Sequence, residues 1–231
     1  MDTGILFAFG DSIMKGVVFD GEGHHTTENC FASILSHRIG KPLINCAKMG
    51  HTIADGWKMF ERHRQQLHSG DTALIEFGGN DCDFPWAEIG NNPYTEHSPR
   101  TMLTLFKEKY TSLIATLKGM GVRPLLFSLP PLQSERYFHY FTRAMNSLQK
   151  ENIMRWLDGS IEFIANWHEH YNLAIYQIGV STNTPVIDIS SCFLSHPDYY
   201  DYICQDGIHP NEQGHRLIAA ALAKMDMWLC G

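Results

Sequence analysis

The sequence predicts an α/β fold in which a parallel sheet carries helices on both faces. Short apolar runs alternate with amphipathic helical patterns along the whole chain, which is typical of repeated β–α units. Each apolar run ends at a cluster of glycine, proline, asparagine or aspartate. The chain has 231 residues, of which 44% are hydrophobic and 19% charged. We find no repeat, low-complexity segment or linker, and we expect residues 1–231 to form one domain.

Five apolar runs are predicted as the strands of this sheet. They are continuous rather than alternating, which is typical of strands that are buried on both faces. The runs are Ile5–Phe9, Pro42–Ala47, Thr72–Phe77, Pro124–Leu129 and Pro185–Ile189. Because the carboxyl ends of parallel strands meet at one edge of a sheet, we expect the residues that follow these runs to lie close together.

Helical spacing of apolar residues predicts the connecting elements. The predicted helices are Thr27–Ile39, one from Thr52 to about Leu67, one after Thr101, two segments separated near Gly159, and one from about Asn211 to Leu229. Thr52, Thr101 and Asn211 are the expected N-cap residues. The segment Cys82–Arg100 contains three prolines and is predicted to be a long loop, of a length that is usually functional or disordered.

Composition and charge argue against several classes of partner. Asp plus Glu is 25 and Lys plus Arg is 18, giving a net charge of −7 without a dense basic cluster. We therefore predict no binding to nucleic acid and no membrane insertion. The first residues lack the basic leader and the cleavage site of a signal peptide. The six cysteines form no CxxC motif and are expected to be reduced thiols of a cytoplasmic protein.

Ser12 and His209 are the candidate nucleophile and base. Ser12 follows the first strand on a tight turn, and a serine hydroxyl is a weak nucleophile that needs an adjacent base. Asp206 precedes His209 by three residues, and its carboxylate can reach Nδ1 and leave Nε2 free for Ser12. Taken singly, each feature has a simpler explanation, since Ser12 can cap a turn and the Asp206 turn can cap the final helix.

Asn80 is a candidate donor to an oxyanion, because it follows two glycines at the end of a buried strand. The backbone N–H groups of Ser12 and Gly50 would complete the set of three donors that a tetrahedral acyl-transfer intermediate needs. The alternative is a simple turn in which Asn80 bonds its own backbone.

Together these segments resemble the signature blocks of the SGNH hydrolases, also called GDSL-type esterases/lipases. The order and spacing match, and the blocks span nearly the whole chain. The blocks are Gly10-Asp11-Ser12, Gly50, Gly78-Gly79-Asn80-Asp81 and Asp206-Gly207-Ile208-His209. Ile13 stands where the longer form of the first block has leucine.

The resemblance implies a flavodoxin-like three-layer α/β/α sandwich with strand order 2-1-3-4-5. It implies Ser12 as nucleophile, His209 as base and Asp206 as the carboxylate that orients the base. It also implies oxyanion donation by the Ser12 and Gly50 N–H groups and by the Asn80 side chain. The family needs no metal and no cofactor.

Several residues near the predicted edge have other expected roles. Four aromatic residues in the loops are candidates to line a substrate groove: Trp86, Tyr94, Tyr137 and Phe138. His168 is expected in the core or in the groove, and Arg136 on the solvated surface. Cys82 and Cys204 are expected to be inert thiols. We reject zinc at His24-His25 and at His168-Glu169-His170, because no third ligand is evident.

The sequence therefore predicts a serine esterase that cleaves carboxylic esters through an acyl-enzyme. The expected partner is a small-molecule ester, with a short acyl group on a carbohydrate or small metabolite. The alternatives are lipase, lysophospholipase or thioesterase activity on longer acyl chains, and a catalytically silent binding module on the same fold. A flavin or nucleotide site is disfavoured, because no glycine-rich loop follows the first strand.

Overall fold

A computed structural model describes residues 4–222. The strands are β1 (Leu6–Gly10), β2 (Val17–Phe19), β3 (His24–Thr26), β4 (Leu43–Asn45), β5 (Thr72–Glu76), β6 (Arg123–Phe127) and β7 (Val186–Ile187). The α-helices are α1 (Ser12–Lys15), α2 (Phe31–Ile39), α3 (Ile53–His63), α4 (Trp86–Asn91), α5 (Leu103–Gly119), α6 (Ser134–Thr142), α7 (Ser147–Trp156), α8 (Glu162–Thr182), α9 (Ser190–Leu194) and α10 (Glu212–Leu222).

Five of the strands form the predicted parallel sheet. Their spatial order is β4-β1-β5-β6-β7, and every neighbouring pair is parallel. Numbered along the chain among themselves, these strands have the order 2-1-3-4-5, so the predicted topology is confirmed. β1 is an interior strand, with Leu6 opposite Leu43 on one side and Thr72 on the other.

Side chains alternate between two cores, one on each face of the sheet. Phe7 and Phe9 point to a core that they share with α3, α5 and α8. Ala8 and Leu74 point to the opposite core, which contains residues of α2, α9 and α10. β1, β5 and β6 are buried on both faces, which explains why their runs are continuously apolar, whereas the edge strand β4 is half-buried. The three-layer α/β/α arrangement is thus confirmed.

A third apolar cluster lies outside the two sheet cores. It joins α4, α6, α7 and the first turns of α8 through residues such as Trp86, Tyr137 and Ile153. The prediction that Cys82–Arg100 is entirely loop is therefore wrong, because α4 lies within it. α4 has only six residues, which is too few to show a helical period in the sequence. Packing against α7 stabilises it.

Two of the three predicted N-cap residues are confirmed. Thr52 is the N-cap of α3, and the Asn211 side chain accepts the Gly214 N–H at 3.0 Å at the start of α10. Thr101 does not cap α5, because the helix begins one residue later and Met102 is its N-cap. The backbone N–H of Thr101 donates to the Asp81 carbonyl at 3.0 Å. The part of the last predicted helix beyond Leu222, like Cys230, lies outside the described residues.

The antiparallel pair β2–β3 is not predicted by the sequence. Its strands have three residues each, and β3 is polar, with His24, His25 and Thr26. Strands of three residues are too short to show an apolar period. Within residues 4–222, no helix combines the length and hydropathy of a membrane span.

Candidate active site

Ser12, Asp206 and His209 come together at the carboxyl end of β1. His209 Nε2 lies 2.8 Å from Ser12 Oγ, and His209 Nδ1 lies 2.6 Å from Asp206 Oδ2. All three side chains are buried. The two distances are within hydrogen-bond reach, so a proton on Ser12 can pass to an imidazole that a carboxylate holds in place.

The Asp206 turn is shaped by its own backbone. Oδ1 accepts the N–H groups of Ile208 and His209, each at 3.1 Å. Burial would raise the pKa of Asp206, but the hydrogen bond and charge of His209 and these N–H groups lower it below its ordinary value. Gly207 has φ +81°, and a Cβ there would lie 2.5 Å from the Tyr137 nitrogen, so only glycine fits this turn.

The turn that carries Ser12 depends on the carboxylate of Asp11. Asp11 is the N-cap of α1 and accepts the Ile13 N–H at 2.9 Å. Its other oxygen accepts Asn80 Nδ2 at 2.9 Å. One buried carboxylate therefore sets the positions of both the Ser12 turn and the Asn80 side chain.

Glu76, the last residue of β5, forms a buried acid pair with Asp11. Burial raises the pKa of both groups, and the nearby Asp11 charge raises that of Glu76 well above its ordinary value. The Ile13 N–H and Asn80 Nδ2 donate to Asp11 at 2.9 Å and favour its ionised form, whereas the Met14 N–H meets Glu76 Oε2 at a longer 3.3 Å. We therefore assign the negative charge to Asp11 and the proton to Glu76.

Arg100 joins the two loops that carry Gly50 and Asn80. Its guanidinium donates to the Gly50 carbonyl at 2.8 Å and to Asn80 Oδ1 at 3.2 Å. Because Asn80 Oδ1 faces a cation and Nδ2 faces a carboxylate, the amide orientation is defined. The second hydrogen on Nδ2 is left for a ligand. Gly50 has φ +79°, a left-handed conformation that favours glycine.

Asp81 also links the loop that carries Asn80 to the segment that carries Gly50. Both of its carboxylate oxygens lie 3.1 Å from the backbone N–H of Ile53, at the start of α3. The loop that contains Gly50 leads directly into α3, so this contact holds that loop against the Asn80 loop.

A cavity of about 130 Å³ opens beside these groups and is lined by Ser12, Gly50, Asn80 and His209. The rest of its wall is largely apolar or aromatic. That part includes Cys82, Phe84, Trp86, Pro130, Leu132, Tyr137, Ile164 and Trp167. Small sites with apolar walls and a few convergent polar groups are typical of small-molecule binding.

The four predicted groove residues differ in where they lie. Trp86 and Tyr137 line the cavity, and the Trp86 Nε1–H and Tyr137 hydroxyl donate to Asp83 Oδ1 at 2.8 and 2.7 Å. Phe138 is buried in the adjoining aromatic cluster instead. Tyr94 lies outside the cavity, 78% exposed, because α4 ends before it and leaves its ring in solvent.

His168 lies in the cavity wall and is 6% exposed. Burial lowers the pKa of His168 to about 4, so its imidazole is neutral near pH 7. The structure thus favours the groove-lining interpretation of this residue over the core one. It is a neutral polar group in an otherwise apolar part of the wall.

Arg136 remains partly exposed at the surface, but its guanidinium is also bound by the protein. It is half-buried, and Nη1 donates to the carbonyls of Tyr200 and Ile203 at 2.7 and 3.1 Å. It thereby holds the segment that leads to Asp206. Burial raises the pKa of the Cys82 thiol and raises that of Cys204 to about 11, which disfavours the reactive thiolate.

His24 is a site residue that the sequence analysis missed. Its Nε2 lies 3.1 Å from Asp206 Oδ2, across 182 positions of sequence. The ligand atoms of His24, Asp206 and His209 lie within 4.8 Å of one another, so His24 does have two further potential ligands nearby. The sequence offered no signal for this contact, because the β2–β3 pair that carries His24 is not predicted.

Comparison with known families agrees with this arrangement. The sequence profile of the GDSL-like Lipase/Acylhydrolase family matches residues 8–217. The chain therefore belongs to this family, whose members are hydrolases acting on ester bonds, and the resemblance drawn from the signature blocks is confirmed. No curated protein gives a significant match to the sequence.

Solved structures share the fold over nearly the whole chain. A lipase/acylhydrolase from Enterococcus faecalis has a TM-score of 0.66 at 18% identity, covering 96% of this chain and 94% of its own. A catalytic mutant of an acetylxylan esterase from Geobacillus stearothermophilus has a TM-score of 0.66 at 18% identity, with coverages of 97% and 95%. A psychrotrophic esterase from Pseudoalteromonas sp. has a TM-score of 0.62 at 15% identity, with coverages of 99% and 100%.

The buried acid pair predicts a pH-dependent effect of Glu76→Gln, whose amide mimics the protonated carboxyl. The folded pKa of Glu76 is raised, so its contribution to stability is complete below its ordinary pKa of 4.5 and is lost as the pH rises toward the folded pKa. Glu76→Gln cannot ionise and therefore does not lose stability as the pH rises. Its free energy of unfolding relative to wild type should therefore increase from pH 5 to pH 8, by at most about 1.4 kcal/mol per pH unit.

Urea denaturation at both pH values measures this difference. Glu151→Gln is the matched control, because Glu151 is exposed on α7 and the same substitution there should give a difference that does not depend on pH. A Glu76→Gln difference that shrinks as the pH rises would mean that Glu76 carries the negative charge.

Proposed function

We propose that the protein is a serine esterase that cleaves short-chain carboxylic esters of small polar molecules through an acyl-enzyme on Ser12. Family membership supports ester hydrolysis. The observation that carries the mechanism is the unbroken chain of short contacts from Ser12 through His209 to Asp206. A binding module has no need of that chain.

In the first half-reaction, Ser12 Oγ attacks the ester carbonyl while His209 Nε2 takes the hydroxyl proton. Asp206 stays ionised and stabilises the imidazolium that forms. The negative charge on the carbonyl oxygen is met by the backbone N–H groups of Ser12 and Gly50 and by the second Nδ2 hydrogen of Asn80. The C–O bond to the alcohol then breaks, and His209 returns the proton to the leaving oxygen.

In the second half-reaction, water attacks the acyl-enzyme. His209 takes a proton from the water, and a second tetrahedral intermediate forms in the same set of donors. Collapse of this intermediate breaks the bond to Ser12 Oγ, which regains its proton from His209. The acid is released and the enzyme is restored without a metal or cofactor.

The cavity supports a small substrate. Its volume of about 130 Å³ beside Ser12 matches a short acyl group. The neutral imidazole of His168 offers one hydrogen-bonding group to a substrate that carries a hydroxyl or carbonyl. Acetylxylan esterases are among the structures that share the fold, and their acyl group is of the proposed size.

Replacement of the three residues tests the proposed mechanism. We expect Ser12→Ala and His209→Ala to lower kcat about 10⁶-fold, and Asp206→Ala only about 10⁴-fold, because backbone and solvent can partly orient the imidazole. Hydrolysis of p-nitrophenyl acetate and labelling by a fluorophosphonate measure these effects, with circular dichroism to verify folding. Wild-type activity in a folded Ser12→Ala variant would exclude the mechanism, and absence of hydrolysis and labelling in the wild type would favour the silent binding module.

The oxyanion donors make a second prediction. Asn80→Ala should lower kcat about 10²–10³-fold. Arg100→Met should lower kcat about tenfold at unchanged KM, because one hydrogen bond that orients the Asn80 amide is lost. In the Asn80→Ala background, Arg100→Met should have a much smaller effect, since the amide it orients is gone.

The control for this cycle is Arg62→Met, an exposed arginine of α3 that should leave kcat unchanged. If the effects of Asn80→Ala and Arg100→Met are simply additive, Arg100 does not act through the Asn80 amide.

Chain-length preference tests the substrate class. Across p-nitrophenyl acetate, butyrate, octanoate and palmitate, we expect kcat/KM to be highest for acetate or butyrate, because the cavity is small. Trp86→Ala removes a wall residue and should shift the preference toward longer chains. Higher turnover of palmitate than of acetate by the wild type would instead favour a lipase, lysophospholipase or thioesterase.

A further inference from the structure

The β2–β3 pair places a second histidine on the carboxylate of Asp206. His24, the first residue of β3, has Nε2 at 3.1 Å from Asp206 Oδ2. Its side chain is 16% exposed, and that of Asp206 is fully buried. Since the pKa of Asp206 is lowered, its carboxylate is ionised and can only accept, so His24 Nε2 must carry the proton of this contact.

The His24 ring is held on several sides. Its centroid lies 5.0 Å from that of Phe19 on β2, 5.7 Å from that of Tyr140 on α6 and 4.9 Å from that of His209. The Phe19 backbone N–H donates to Cys204 Sγ at 3.3 Å, which ties β2 to the segment that carries Asp206. The imidazole is therefore a fixed donor rather than a mobile surface group.

With His24 in place, the Asp206 carboxylate has a full set of donors. Oδ1 accepts the two backbone N–H groups of Ile208 and His209, and Oδ2 accepts His209 Nδ1 and His24 Nε2. A carboxylate offers about four acceptor positions, so no rotation of the group is possible without losing a bond. The two backbone N–H groups on Oδ1 and the His24 imidazole on Oδ2 thus hold the oxygen that faces His209 in one orientation.

We propose that His24 is a positioning residue of the catalytic triad, which donates from Nε2 to Asp206 Oδ2 and holds this oxygen against His209 Nδ1. The inference rests on the proposed function of Ser12, His209 and Asp206. His24 lies outside the cavity lining, its ring packs edge-on against that of His209, and its hydrogen bond is to the Asp206 carboxylate. It therefore affects the turnover number rather than substrate binding.

Two substitutions separate the donor from the packing of the ring. His24→Phe keeps an aromatic ring beside Phe19 and Tyr140 but removes the N–H, and His24→Gln loses the ring but keeps an amide donor of similar reach. We expect His24→Phe to lower kcat about tenfold at unchanged KM, the effect of one lost hydrogen bond to a charged group. His24→Gln should restore most of that loss. His25→Phe, at the next and exposed position of β3, is the matched control and should leave kcat unchanged.

A double-mutant cycle with Asp206→Ala tests whether His24 acts through the carboxylate. The readout is the rate at which a fluorophosphonate labels Ser12, which remains measurable when turnover is slow. In the Asp206→Ala background, His24→Phe should have no further effect, because the group it positions is absent. A residue that only stabilises the β2–β3 pair would lower the rate equally in both backgrounds.

The inference is overturned if His24→Phe has wild-type kcat, if His24→Gln is as impaired as His24→Phe, or if the cycle is additive. These outcomes differ from failure of the proposed function. If Ser12→Ala is inactive while His24→Phe is unaffected, only the inference about His24 fails. If Ser12→Ala retains activity, the proposed triad fails and the inference fails with it.

Discussion

The carboxylate of Asp11 is the group on which the arrangement of the site depends. It directly follows the interior strand β1, is 1% exposed, and accepts both the Ile13 N–H in the first turn of α1 and the amide of Asn80. A buried charge is stable only when it is fully hydrogen-bonded, and the burial of Asp11 beside a protonated Glu76 makes both donors necessary. The turn that presents Ser12 and the side chain proposed to meet the oxyanion are therefore held by one group.

The rest of the site is connected to this group by contacts between loops. Arg100 links Asn80 to the Gly50 loop, and Asp81 links the Asn80 loop to the start of α3. On the other side, Arg136 and His24 hold the segment and the carboxylate of Asp206. Each proposed catalytic group is thus positioned by a second polar contact, which is the preorganisation that stabilises charge in a transition state without reorganisation during the reaction.

The five strands and the convergence of Ser12, Asp206 and His209 could be predicted from local patterns and the edge geometry of parallel sheets, whereas the strand order came from the family resemblance. The β2–β3 pair, α4 and the roles of Arg100 and Arg136 could not. Their residues are short polar segments or single charged side chains, and their partners lie far away in the sequence. Tyr94 was predicted to line the groove because it is an aromatic residue in a loop near the site, but its side chain is exposed to solvent.

By itself, the sequence determined the class of protein, the α/β sheet and the residues proposed to carry the chemistry. These depend on apolar periodicity and on short signature blocks, each of which is read within a few residues. The tertiary structure alone decided which donors surround each catalytic group, which aromatic residues line the cavity, and that a second histidine contacts Asp206. The physical reason is that these contacts join groups far apart in the sequence, 182 positions for His24 and Asp206, and their geometry exists only after the sheet has brought the loops to one edge.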